Sequence, residues 1–274
     1  MTQHPELTLT TEQRPFQTQR KDTWWLQPLA VFVGLGAFIV YATFRVFEGN
    51  HFIHGPYLSP FYSPLLFGTD AHSLEHSWFG MMPDWMANSF ITPAVLILWA
   101  PLGFRFTCYY YRGAYYKAFW ADPPSCTVSE PRNGYRGENS FPLIIQNIHR
   151  YFLYVAIIIV GILAYDTWKA LWFDDGNGGT TFGIGIGTIV LAGNVVLLGG
   201  YTFGCHSLRH LVDGAVDLLS KAPVRRQAYN CVSCLNRRHM LWAWMSLCWV
   251  GFSDAYVRFI APALGQDWIT FKVK

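Results

Sequence analysis

The feature that most constrains this chain is a set of five long apolar runs. A helix needs roughly 20 mostly apolar residues to cross a membrane, because the hydrocarbon core of a bilayer is about 30 Å thick. Two prolines, Pro93 and Pro101, fall in the second run and predict a kinked helix there. The sequence therefore predicts an all-α integral membrane protein with five transmembrane helices. The predicted helices cover residues 24–47, 86–106, 148–173, 182–210 and 239–264.

The composition agrees with a membrane protein. Only 14% of the 274 residues are charged, whereas ordinary soluble domains have about 25%. Aromatic residues make up 18% of the chain, which suits the aromatic belts at membrane interfaces. The net charge of +3 is too small to indicate a nucleic-acid partner. We therefore expect a multi-pass protein of the cell membrane, surrounded by lipid.

The Lys and Arg residues predict the orientation of these helices. Most of them fall in segments that share one side of the membrane if the N-terminus is cytoplasmic, and none lies between Arg45 and Arg105. Cytoplasmic loops carry an excess of Lys and Arg. We therefore predict a cytoplasmic N-terminal tail over residues 1–23, a membrane domain over 24–264, and a C-terminal tail over 265–274 outside the cell.

This topology gathers most cysteines and several histidines at the cytoplasmic ends of the helices. Structural disulfides are rare in the reducing cytoplasm, so metal or cluster binding is the more informative hypothesis for these residues. The residues concerned are Cys108, Cys126, Cys205, Cys231 and Cys234, with His149, His206, His210 and His239.

Four of these residues form the predicted metal site. His206 and His210 are four apart, which places them on one helix face, and Cys231 and Cys234 form a CVSC segment expected to be a turn. Two His and two Cys are the ligands of a Rieske-type [2Fe-2S] cluster, and zinc accepts the same set. Alternatively, the imidazoles bond loop carbonyls and the thiols are free. Two nearby residues could substitute for a ligand, Cys205 and His239.

Haem b is a further alternative. A transmembrane haem of this kind needs two histidines from different helices at one depth. The only pairing at the cytoplasmic side joins His149 with His206 or His210, and the outer side offers no helix histidines. We therefore expect one haem at most.

A quinone site needs an apolar slot with polar groups to bond the carbonyl oxygens. The cytoplasmic ends of the last three predicted helices offer Tyr151, Arg209 and Trp242 as candidates. The alternative roles are binding of lipid phosphate for the arginine and interfacial anchoring for the aromatics. Asp254 and Arg258, four apart in the outer half of the last helix, are either a structural pair or an outer quinone or proton site.

Several segments resemble the membrane-anchor subunit of succinate dehydrogenase, in its five-helix, single-chain, actinobacterial form. The resemblance covers roughly residues 20–264. It is carried by TCYYYRGAYYKAFWADPPSC (107–126), SFPLIIQNIHRYFLYVA (140–156), YTFGCHSLRHLVDG (201–214) and NCVSCLNRRHMLWAWMSL (230–247).

This resemblance implies partners on the cytoplasmic face, a flavoprotein subunit with FAD and an iron–sulfur subunit with further clusters. Succinate would be oxidised in the partner chains, and electrons would pass to menaquinone. The chain departs from two-haem anchors because it lacks the outer pair of helix histidines. The aromatic, basic segment YYYRGAYYKAFW would then be a docking surface for a partner, or otherwise a plain interfacial loop.

Two classes of function follow. The first is a membrane anchor that passes electrons from the iron–sulfur partner to menaquinone, through a Rieske-like [2Fe-2S] centre or through haem b. The second is a non-redox membrane protein, such as a transporter or scaffold, with a structural zinc site. The oligomeric state of the complex stays open, a higher oligomer included.

Overall fold

A computed structural model describes residues 20–120, 141, 143–176, 178–214, 218–264 and 269–272. Most of the described residues are helical. Residues 1–19 of the predicted N-terminal tail, most of the predicted C-terminal tail and Cys126 lie outside the described residues.

Within the described ranges, three helices are long and apolar enough to cross a membrane. They are α1 (Leu26–Glu48), α6 (His149–Lys169, extended at its start by a 3₁₀ turn over Leu143–Ile148) and α7 (Ile186–Phe203). They correspond to the first, third and fourth predicted helices. Length and apolar composition, the same criteria that predicted the helices from sequence, identify them as candidate spans.

The second and fifth predicted helices take other forms. The helix α4 (Pro93–Phe106) is apolar but has only 14 residues, and the preceding α3 (Asp84–Ala87) is separate from it. Proline at the first helical position suits this start, because the backbone N–H groups there have no helical partner. At the C-terminal end, α10 (His239–Ala255) continues through a π-helical turn (Tyr256–Ile260) into α11 (Ala261–Leu264). The count of five spans and their orientation stay predictions.

The fourth predicted helix is divided, which the sequence analysis did not expect. The helix α7 ends at Phe203, and α8 (His206–Asp213) begins after two residues. Cys205 is extended, with φ −67° and ψ 140°. A Cβ atom on Gly204 would approach the carbonyl oxygen of Gly200 to 2.6 Å, so this junction needs a glycine. The following α9 (Pro223–Asn236) contains CVSC, so this segment is helical and not a turn.

The described residues fall into two compact units. The first comprises the described residues of 20–36 and 109–144 and includes α5 (Tyr109–Phe119), the predicted docking segment. Within it, the rings of Phe32 and Phe119 lie 4.9 Å apart. Tyr109 is largely exposed. The second unit comprises residues 37–108 and the described residues of 145–272, and it contains the candidate site described below.

The described residues of the second unit also form two small sheets outside the long helices, a feature that the all-α prediction missed. The strands β1 (Ile53–His54) and β2 (Tyr57–Leu58) form an antiparallel pair, followed by the short helix α2 (Ala71–Leu74). The strands β3 (Trp172–Asp174), β4 (Thr180–Gly185) and β5 (Ile269–Lys272) form an antiparallel sheet in that order. The loop between α1 and α4, which contains the first pair of strands, packs its apolar side chains against two helix residues, Ala94 and Val250. The loop residues of this cluster are Phe52, Leu58, Phe61, Tyr62 and Leu65.

A buried ionic network connects this loop with α1 and α10. Asp254 is fully buried and accepts hydrogen bonds from Arg258 Nε at 2.9 Å, from the Tyr41 hydroxyl at 2.7 Å, and from the Ser59 hydroxyl. Arg258 also donates from Nη1 to Glu48 Oε2 at 2.9 Å. The carboxylate and the guanidinium thus compensate each other's charge, as the structural interpretation of the pair requires.

Candidate functional site

Two cysteines and two histidines meet where four elements begin or end. Cys108 follows α4, His149 begins α6, Cys205 separates α7 from α8, and His239 begins α10. The Nε2 atom of His149 lies 3.1 Å from the Cys205 sulfur, and the Nε2 atom of His239 lies 3.8 Å from the Cys108 sulfur. Both thiols are free and buried. We refer to these four residues as the Cys/His quartet.

The two Cys–His pairs are neighbours of each other. Phe104, which stacks on His149, and Tyr201, which stacks on His239, have ring centroids 5.3 Å apart. The two Cys–His pairs are therefore parts of one cluster.

Aromatic rings cover both imidazoles. Phe104 stacks on His149, with ring centroids 4.7 Å apart and an interplanar angle of 7°. Tyr201 stacks on His239 at 5.1 Å and 17°. The two aromatic rings also contact each other, edge to face, at 5.3 Å. Arg105 adds a positive charge nearby, because its guanidinium lies 4.7 Å from the centre of the Tyr201 ring. Each imidazole of the quartet thus has an aromatic ring stacked on it.

The outer nitrogens of the two imidazoles differ in their surroundings. The Nδ1 atom of His149 lies 2.8 Å from the Thr107 hydroxyl oxygen, and that hydroxyl lies 2.7 Å from the carbonyl oxygen of Gly103. The Nδ1 atom of His239 is buried and has no hydrogen-bond partner among the residues that the structure describes. One histidine of the quartet is therefore held at both ring nitrogens, and the other at one.

The structure does not bring together the four ligands predicted from sequence. His206 and His210 face each other on α8, with 2.9 Å between their Nε2 atoms. Cys231 and Cys234 are exposed on α9. Within the described part of the chain, no three His, Cys, Asp or Glu side chains converge on a position for a single metal ion. The physical reason is local: the expected CVSC turn is a helix, and both of its cysteines are exposed.

The quartet instead contains the two substitutes named in the sequence analysis, Cys205 and His239. Cys108 and His149 were not among the predicted ligands, although both were placed at cytoplasmic helix ends. The signal that could have found them is the position of a thiol or an imidazole directly at a helix boundary. Of the histidines in the predicted haem pairing, His149 contacts Cys205 through its Nε2 atom, while His206 and His210 contact each other.

The three predicted quinone residues have different surroundings. Tyr151 lies on the exposed face of α6. Arg209 donates from Nε to the Tyr229 hydroxyl at 3.1 Å and stacks over that ring. Trp242 has a buried indole N–H without a hydrogen-bond partner among the described residues. Among these three side chains, Trp242 is the one whose donor is buried and has no partner among the described residues.

Comparisons with known proteins identify the chain. Residues 26–263 match the family described as actinobacterial succinate dehydrogenase subunit SdhC. A chain in the structure of the Mycobacterium smegmatis Sdh1 complex in the apo form is 41% identical, with a TM-score of 0.81 and 96% of each chain covered. No curated protein matches. The chain therefore belongs to the family of actinobacterial succinate dehydrogenase SdhC subunits, as its resemblance predicted, and is a membrane subunit of a succinate:quinone oxidoreductase with flavoprotein and iron–sulfur partners.

Proposed function

We propose that this chain passes electrons from the iron–sulfur partner to menaquinone and that the Cys/His quartet holds a Rieske-like [2Fe-2S] cluster for this purpose. The observation that carries the proposal is the quartet itself. Two thiols and two imidazoles from four separate elements are packed together beside aromatic rings, and both thiols and His149 are buried. The quartet replaces the ligand set predicted from sequence, which was His206, His210, Cys231 and Cys234.

The chemistry of the donor set fits such a cluster. Rieske ligation places two cysteines on one iron and two histidines on the other. The quartet supplies the two thiols and the two imidazoles that this division requires. A two-iron cluster spreads its ligands over two metal ions, so its ligands need not converge on one point. When bound, the cluster takes up and releases one electron, and the imidazoles raise its reduction potential.

The residues around the quartet favour this use. Phe104 and Tyr201 stack on the two imidazoles and reduce their contact with water, which strengthens charge interactions there. Arg105 lies close enough to His239 for their charges to interact. This positive charge would stabilise the negative charge that two thiolates and an added electron introduce at the site.

We also propose the predicted topology of five spans, with residues 1–23 cytoplasmic and residues 265–274 outside. The placement of the quartet supports it. In an alternating bundle, the end of α4, the start of α6, the end of α7 and the start of α10 all lie on one side of the membrane. The positive-inside rule assigns this side to the cytoplasm, where the iron–sulfur partner would deliver electrons.

The quinone site is proposed beside the quartet at Trp242, with Tyr151 and Arg209 as further contacts. Trp242 lies three residues after His239 on α10, so both side chains are on the same face of that helix. Both carry a buried ring nitrogen without a hydrogen-bond partner among the described residues. A buried N–H without a partner costs free energy, and a quinone carbonyl would satisfy it.

The purified complex provides the direct test of the cluster. We expect iron and acid-labile sulfide to exceed the content of the partner's clusters by two of each per chain. A further EPR signal should appear in the reduced complex. Stoichiometric zinc without this excess would instead support a structural zinc site. A b-type absorption spectrum without the additional signal would support a haem anchor, and either result would contradict the proposed cluster.

The quinone site can be tested through the contact between α7 and α10. A Cβ atom on Gly200 would lie 2.6 Å from Trp242 Cε3, so Gly200→Ala must displace the indole. We expect the KM for a menaquinone analogue to rise about tenfold, the equivalent of roughly 1.4 kcal/mol. Succinate oxidation with an artificial acceptor should be unchanged.

Gly161→Ala is the matched control, because a Cβ atom on this α6 glycine would have nothing within 4 Å. It should leave both activities at the wild-type level. An unchanged KM in Gly200→Ala would place the quinone away from Trp242.

A further inference from the structure

We propose that Thr107 is a positioning residue, whose hydroxyl fixes the tautomer of His149 and thereby directs the Nε2 atom of that ring to the cluster. This inference rests on the proposed function of the Cys/His quartet. It goes further by assigning a role to a residue that binds neither the cluster nor the quinone.

The hydrogen atoms can be assigned from the partners. The Thr107 hydroxyl has one hydrogen, and the Gly103 carbonyl oxygen at 2.7 Å can only accept it. The hydroxyl oxygen must then accept from the ring of His149, 2.8 Å away. The Nδ1 atom of His149 therefore carries the ring hydrogen. In a neutral imidazole this leaves the lone pair on Nε2, the nitrogen that faces Cys205 and that a metal requires.

Thr107 is itself held rigidly. It is 2% exposed and ends α4, where its backbone N–H also donates to the Gly103 carbonyl at 2.9 Å. Two bonds to one carbonyl oxygen fix both the backbone and the side chain of the residue. Because Cys108 follows directly, the same helix end supplies one ligand of the quartet and orients another.

The two histidines of the quartet are inequivalent for this reason. The Nδ1 atom of His149 is hydrogen-bonded to the Thr107 hydroxyl, while the Nδ1 atom of His239 has no partner among the described residues. A hydrogen bond accepted from the outer nitrogen of a ligand histidine raises the basicity of the ligand, and losing it typically costs 10- to 100-fold in metal affinity or activity. Thr107 should therefore stabilise the oxidised form of the cluster.

The test compares Thr107→Val, which keeps the branched shape without the hydroxyl, with Thr107→Ser, which keeps the hydroxyl. Both are made in the complete complex. The readouts are iron and sulfide content, the ¹⁴N couplings of the ligand histidines by pulsed EPR, and the midpoint potential of the cluster. In the valine variant we expect one histidine coupling to change and the redox equilibrium to shift about tenfold toward the reduced form. This shift equals 59 mV for a one-electron couple.

The serine variant should match the wild type in all three readouts. Loss of iron in the valine variant alone would also support the inference, since it shows that the hydroxyl is needed for occupancy. Wild-type couplings and potential in the valine variant would overturn it, and so would equal defects in both variants, which would show a requirement for side-chain volume. If the Thr107→Val chain does not assemble into the complex, Thr107→Ala, which also lacks the hydroxyl, is compared with Thr107→Ser in the same readouts. Absence of the additional EPR signal from the wild-type complex would instead refute the proposed function.

Discussion

Replacement of Cys205 by serine should reduce quinone reduction by the complex to less than about one-hundredth of the wild-type rate. The physical reason is that a serine hydroxyl is a far weaker iron ligand than a thiolate, so the proposed electron path loses its carrier. Succinate oxidation with an artificial acceptor should continue at the wild-type rate, because that chemistry lies in the partner chains. The additional EPR signal should disappear in parallel.

Cys234→Ser is the matched control for this prediction. It makes the same chemical change at a thiol that is exposed on α9 and outside the quartet, so both activities and the EPR signal should persist. The opposite outcome, loss of the signal in Cys234→Ser and its survival in Cys205→Ser, would restore the ligand set first predicted from sequence.

The membrane character and the long helices could be predicted because their signals are local. A run such as residues 148–173 contains its own evidence of length and hydropathy, and the structure has α6 within that range. The motifs that carried the resemblance were likewise short, continuous segments, and the family is confirmed. The division after Phe203 was missed because the apolar run continues across it, while the break depends on backbone contacts of Gly204.

The site was only partly predictable, because it depends on which helix ends meet. The sequence predicted Cys108, His149, Cys205 and His239 on one side of the membrane. It did not indicate which of the nine cysteines and histidines predicted on that side contact one another. Spacing favoured His206 with His210 and the CVSC segment, since these patterns are visible within a few residues. Contacts such as His149 with Cys205, 56 positions apart, result from packing between helices, which a single sequence does not show.

Removing one partner of the buried pair Asp254–Arg258 should destabilise the subunit strongly. Arg258→Met leaves the fully buried Asp254 carboxylate with two hydroxyl donors but without a positive charge, and it removes a partner of Glu48. Breaking a buried ion pair in this way costs about 3–5 kcal/mol. We expect a clear fall in the temperature at which the detergent-solubilised complex loses this subunit, measured by thermal denaturation at a fixed heating rate.

The double variant Asp254→Leu with Arg258→Met shows whether the buried pair serves the stability of the subunit or quinone reduction. Replacing both members of a buried pair by apolar side chains of similar size is often neutral, because no uncompensated charge remains. The double variant should therefore be more stable than Arg258→Met alone, and its quinone reduction should match the wild type. If stability recovers but quinone reduction does not, the pair belongs to an outer quinone or proton site, and its charges are kept for that reaction and not for the fold.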